Sequence, residues 1–307
     1  SQTVLIYSRT KDENGKPVRR FIAMANSNGY ARGDYNFTGR HWWGEKAHGI
    51  TNSVYANPFT GADADSLART FMMDSHFTED RPSGTSVAVI DPQIDADEVE
   101  NVMNVIANAL TKWAWPHMVS KLEDMDPIDF SVTVNGRDVP IPDPQRDPLL
   151  RPFVRAYRVA MKEPEHIEKS DFTTEFQRSG PNRWVDIVSA RPHEYLGRLA
   201  VRDTESEVIP QHSVLSENLA SHVALIRGPR MIVNYWQGPR SSAEDSYAGV
   251  FVAAKHLDAI FAASEPPAHD EWNPSTVNLK DPRFFKDGRP RGVNPVRVAM
   301  RRLQDQL

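Results

Sequence analysis

Short apolar or alternating runs, each stopped by Gly, Pro, Asn or Asp, recur along most of the chain, and such runs predict strands with turns at the stops. Thr3 to Ser8 and Arg20 to Ala25 are the first two, and the Asn14-Gly15 step between them favours a hairpin. Ser83 to Ile90 is a third: a flexible lead-in, the apolar run Val87-Ala88-Val89-Ile90, and a stop at Asp91-Pro92, which reads as a buried strand. Behind it, apolar residues recur at Val99, Met103, Ile106, Leu110 and Trp113, spacings that share one helical face. Asp95, Asp97, Glu98 and Glu100 stand where a helix N-terminus favours acids, and Pro116 opposes unbroken continuation.

The remaining stretches fill in a β-rich first part and a mixed second part. Tyr30 to Gly49, rich in glycine and aromatics and including Trp42-Trp43, reads as a loop packed over a sheet edge, and Asp63 to Met73 as a short helix. Phe130 to Val134 and Val139 to Ile141 flank Asn135-Gly136 as a second hairpin, and a proline-rich link leads to a helix at Leu149 to Met161. Strands follow at Trp184 to Ala190, Leu196 to Arg202, His222 to Ile226, Met231 to Trp236 and Gly249 to Ala254, with helices at Leu257 to Ala263 and from Pro295 onward. The pattern predicts an α+β protein with parts at 1–122 and 123–307.

Composition supports two domains: 307 residues, 39% hydrophobic and 25% charged, can bury a sizeable core. No apolar run is long enough to cross a membrane and no charged-then-apolar leader opens the chain, so the expectation is a cytoplasmic protein without membrane contact. The absence of cysteine removes disulfides, thiolate metal sites and cysteine nucleophiles. A net charge of -5 excludes a chain basic throughout, while leaving room for a local basic patch. The chain opens without methionine and already inside a strand pattern, and the expectation is a piece of a longer protein.

Candidate chemistry is sparse. No Walker loop, dinucleotide fingerprint, HExxH or nucleophile elbow occurs. Glu244-Asp245 upstream of a strand ending in Lys255 faintly resembles a metal-dependent nuclease arrangement, but Ala253 stands where a ligand is needed, and His256 with Asp258 or His269 with Asp270 and Glu271 are only loose metal-ligand sets. No metal site is expected. Arg227-Gly228-Pro229-Arg230, between two apolar runs, predicts a tight turn holding two guanidiniums that could stabilise phosphate. Arg283, Lys286, Arg289, Arg291, Arg297, Arg301 and Arg302 form a C-terminal basic region that could contact nucleic acid or a protein partner.

The order of strand, Gly-Thr strand, long helix and mixed second part resembles the region after the nucleotide-binding core of GHKL ATPases, the superfamily of gyrase B, MutL, heat-shock chaperones and histidine kinases. The chain looks most like the large bacterial GHKL-type proteins, some of them found among anti-phage defence genes. The carrying residues are Ser83 to Val89, similar to the family's Gly-Thr box, and Leu5 to Thr10, the strand that would precede it. The resemblance implies an incomplete Bergerat-like sheet followed by a βαβ transducer-like domain. Gly84 and Thr85 would then approach adenine, and Arg227 or Arg230 the terminal phosphate of ATP. The family's Glu-x-x-x-Asn helix and adenine box would lie before Ser1, so ATP and magnesium are implied only with that upstream core. Glu100 and Asn104 match the helix motif out of order. The implied function is coupling of nucleotide state to a partner, in a protein of a family that commonly forms homodimers. The alternatives are a non-enzymatic binding module for nucleic acid or protein, using the basic C-terminus and Trp42-Trp43, and a metal-dependent nuclease using Asp245 and Lys255.

Overall fold

A computed structural model describes residues 2–48, 54–92, 99–119, 126–162, 172–204, 214, 219–239 and 246–307. The chain divides into two compact units, Ser1–Asp95 and Ala96–Leu307, both mixed α/β with mainly antiparallel sheets. This division places the long helix in the second unit, whereas the boundary at 122 read from the sequence groups it with the first.

In the first unit β1 (Gln2–Lys11) and β2 (Pro17–Asn26) pair as the predicted hairpin. The Asp12 carboxylate sets the turn by accepting from the backbone N–H groups of Asn14 and Lys16 at 2.9 and 2.8 Å, while Gly15 takes a left-handed φ of 77°. The stretch read as a loop instead carries β3 (Tyr30–Arg32), β4 (Tyr35–Phe37), β5 (Arg40–Trp43) and β6 (Glu45–His48). Aromatic packing overrides its glycines: Trp43 meets Phe21 and Phe59 edge-on, with ring centroids 5.9 and 5.5 Å apart. β7 (Val54–Asn57) pairs with β6, and β8 (Phe59–Thr60) pairs with β2. Helix α1 (Gly61–Thr70) lays Ala64 and Ala68 on Leu5, Tyr7, Phe21 and Ala23, the inward face of the hairpin.

The Gly-Thr strand, β9 (Gly84–Ile90), lies at the sheet edge beside β1, in the order β5-β2-β1-β9. The expectation of a buried strand does not hold. Val87 and Val89 remain 61% and 46% exposed because α1 covers the other face, where Ala88 joins the core, and Ile90, on the Ala88 side at the end of the strand, is 47% exposed.

The second unit is a three-layer sandwich. It opens with α2 (Val99–Met118), a small hairpin of β10 (Val132–Val134) and β11 (Arg137–Val139), and α3 (Leu150–Ala160). Six strands then form one sheet: β12 (Gln177–Ser179), β13 (Asn182–Ala190), β14 (His193–Thr204), β15 (His222–Ile226), β16 (Ile232–Gln237) and β17 (Ser246–Ala253). Their order is β12-β13-β14-β17-β15-β16, antiparallel except where β15 runs parallel to β17. One face packs Ala200, Ala224 and Val250 against α2 and α3. The other packs Val185, Leu199, Val201 and Phe251 against α4 (Asp258–Ala263) and α5 (Pro295–Gln306).

Two expectations about α2 are corrected. Its buried residues include Val102, Ala107, Thr111 and the run Ala114 to His117, while Ile106 and Trp113, on the face chosen from periodicity, stay exposed. The helix also continues through Pro116 to Met118. Proline removes the N–H that would satisfy the carbonyl of Lys112, four residues back. The Tyr235 hydroxyl supplies the missing donor, reaching that carbonyl at 2.6 Å while accepting from Trp115 Nε1 at 3.0 Å. The acids Asp95, Asp97 and Glu98 lie outside the described residues.

Candidate anion-binding site

Helix α3 is strongly two-sided. Leu150, Phe153, Val154, Tyr157 and Ala160 face the sheet, and Arg151 and Arg155 stand one turn apart on the exposed side. Asp147 caps its start, accepting from the backbone N–H groups of Leu149 and Leu150 at 2.9 Å each. The first turns of α3 meet the end of β14 and the start of β17, where a cavity of about 1000 Å³ opens. Arg151, Arg155 and Arg202 line it on the α3 side, and Arg178 and Arg183 line it from the β12–β13 hairpin.

Strand alternation places these arginines on two faces. Arg202 is paired across the ladder with Asn182 and with Ala248, which packs under α3. Arg183 lies opposite Val201 and over the Phe176 ring, both on the α5 side. The cavity therefore wraps round the end of the sheet. Its one described acid, Asp203, is held by Arg183 at 2.9 Å.

The electrostatics are unfavourable without an anion. Arg178 and Arg183 are direct cross-strand partners, and like charges opposite each other cost up to about 1 kcal/mol. Burial, then the charges of Arg155 and Arg151, lower the pKa of Arg202, against the opposing charge of Asp203, and the Asn182 side-chain oxygen accepts a hydrogen bond from Arg202 at 3.1 Å. Arg183 Nε is buried with no hydrogen-bond partner. Among the described residues Arg151, Arg155 and Arg178 have no acidic partner. Guanidiniums held together in this way are suited to phosphate oxygens, which they can engage in pairs of parallel hydrogen bonds.

The residues singled out from the sequence lie elsewhere. Arg227 and Arg230 do flank a tight turn, with the Arg230 N–H bonded to the Arg227 carbonyl at 2.8 Å, but their side chains diverge. Arg227 grips the buried Glu265 at 2.5 and 2.9 Å and lies 3.5 Å from Asp258, whose carboxylate also accepts from the Gly228 N–H at 2.8 Å. Arg230 lies on the α2–α3 side, beside Tyr157, which burial pushes up to about 12, and His117, whose pKa burial and then the Arg230 charge lower. The two guanidiniums form no shared site. Gly84 and Thr85 sit on the exposed edge of the first unit, with the Thr85 hydroxyl 3.1 Å from that of Ser8.

Most of the C-terminal basic residues are occupied internally. Arg283 pairs with Asp281 at 2.6 Å, Arg291 and Lys286 with the buried Glu194 at 2.5 and 3.3 Å, and Arg301 and Arg302 lie 3.8 and 3.9 Å from Asp305. Arg289 and Arg297 have no acidic partner among the described residues. Glu244 and Asp245 of the nuclease arrangement lie outside the described residues. His256 lies 3.6 Å from Glu194 and His269 2.8 Å from Glu265, and no group of three or more His, Asp or Glu among the described residues is placed to hold a metal.

The cavity was not visible from the sequence as a unit. Its partial signals were Arg151 and Arg155 four apart on a predicted helix and Arg202 closing a predicted strand. No family model matches the chain, and no curated protein does. No helix among the described residues is long and apolar enough to cross a membrane.

Proposed function

We propose that the second unit is a binding module for a phosphate-bearing polyanion, which it takes into the cavity at the end of its sheet. The observation that carries this reading is the convergence of Arg151, Arg155 and Arg202 on one side of the cavity with Arg178 and Arg183 on the other, against a single described acid already paired. Proteins place like charges together at a cost in stability where a ligand of opposite charge relieves it. The lining offers no nucleophile with an adjacent base, so binding rather than chemistry is the reading it supports. Calorimetric titration with inorganic tripolyphosphate tests it. Arg151→Ala with Arg155→Ala, both on the exposed face of α3, is expected to weaken binding by about tenfold or more, at about 1.5 kcal/mol for each charge-assisted hydrogen bond removed. Equal affinity in the two proteins would count against the reading.

A second reading, coupling in a GHKL-type ATPase, draws on the direct pairing of β1 with the Gly84–Thr85 strand. By themselves, the described residues named for ATP do not make a site for it: Thr85 offers one hydroxyl on an exposed edge, and Arg227 is committed to Glu265. Under this reading ATP and magnesium would be held by an upstream core. In a longer protein that binds ATP, Thr85→Val is expected to weaken it by about tenfold, the worth of one hydrogen bond, and unchanged affinity would argue against coupling through this strand.

A further inference from the structure

We infer that the polyanion is a single strand of nucleic acid, held by its phosphates as it turns round the end of the sheet and bound without regard to base. This rests on the reading of the cavity as a phosphate site. Two observations carry the step from phosphate to strand.

The first is the division of the arginines. Arg151, Arg155 and Arg202 stand on the α3 side of the strand ends, and Arg178 and Arg183 on the α5 side, joined by one cavity of about 1000 Å³. A compact triphosphate meets one group and leaves the other uncompensated. A ligand that meets both carries phosphates at intervals along a flexible chain. A duplex, stiff over about 150 base pairs, bends sharply only at an energetic cost that a flexible single strand does not meet.

The second is what the lining lacks. Phe153 and Tyr247, its aromatic residues, are 2% and 7% exposed and packed into the two cores, so neither offers a face for base stacking. Among the described lining residues, Gln306 is the one side-chain amide, and Asp203, the one acid, is tied to Arg183. Side-chain amides and acids read adenine and cytosine edges, whereas the guanidiniums that dominate the lining engage phosphate oxygens in pairs of hydrogen bonds, a contact that carries no base preference.

The test uses the whole chain and fluorescence anisotropy. Labelled oligothymidylates from a dinucleotide up to about a dozen nucleotides, a range that covers common single-strand site sizes, are compared with oligoadenylates of the same lengths, and tripolyphosphate and ATP serve as competitors. Affinity is expected to climb about tenfold or more with length before levelling off, and to agree within about threefold between the two bases, since each phosphate engaged adds to the affinity and backbone contacts carry no sequence information. Arg178→Ala, an exposed position on the short strand β12, is expected to weaken the longer strands by more than it weakens tripolyphosphate. If ATP or tripolyphosphate binds as tightly as the longest strand and Arg178→Ala changes nothing, the single-strand inference is overturned and the phosphate reading stands. If neither the oligonucleotides nor tripolyphosphate bind, the phosphate reading fails and takes this inference with it.

Discussion

Tyr235 lets a proline sit inside a helix. Its hydroxyl donates to the Lys112 carbonyl that Pro116 leaves without an N–H and accepts from Trp115, so one atom settles two buried polar groups. Tyr235→Phe removes that atom with little change in shape and is expected to lower stability by about 1–3 kcal/mol, read as a reduced urea midpoint at unchanged slope. Arg227 is structural in the same sense. Arg227→Ala would strand Glu265, whose side chain is 1% exposed, and is expected to cost about 3–5 kcal/mol. A loss of function in that variant would therefore report unfolding unless stability is measured beside it. Glu194 gives a pH signature. Burial alone would raise its carboxyl, but the neighbouring His256, the hydrogen bond from Arg291 and the charges of Arg291 and Lys286 outweigh burial and hold it at about 2. A folded value below the ordinary 4.5 means that its contribution is complete above about pH 4.5 and is lost as pH falls toward 2. The loss is on the order of 3 kcal/mol, and thermal melts between those pH values should show it in the wild type and lack it in Glu194→Gln.

At the scale of elements, local pattern served well where one residue type decides the geometry. The Asn-Gly hairpin, α3, five of the six strands of the large sheet and the proline-started α5 lie within a few residues of where turn chemistry and periodicity place them, while β12 was not foreseen. It failed where long-range packing decides. The buried face of α2 is rotated from its most apolar stripe because Trp115 is drawn to the second unit's sheet, and four short strands formed in a stretch whose glycines signalled a loop. The candidate site belongs to the second kind. Arg151 and Arg155 are legible as a pair, but their meeting with Arg202 depends on α3 crossing β14, and the opposition of Arg178 to Arg183 on a strand register. The Arg227–Arg230 turn was legible as a turn, yet the divergence of its side chains depends on Glu265 and Asp258, distant in sequence.

For the whole molecule, a chain with a net charge of -5 presents a cavity lined by five arginines, and selectivity for polyanions would then come from local geometry against an overall negative field. The basic C-terminus is largely spent on internal pairs, so the binding charge sits on α3 and the strand ends. The most direct measurement is the salt dependence of oligothymidylate binding to the whole chain, in the wild type and in Arg151→Ala with Arg155→Ala. The logarithm of affinity should fall linearly with the logarithm of salt, and the double variant should lower that slope by about 1.4, at about 0.7 for each phosphate of a single strand that is no longer neutralised. An identical slope and affinity in the two proteins, or no binding at low salt, would contradict the assignment of the cavity as a phosphate site.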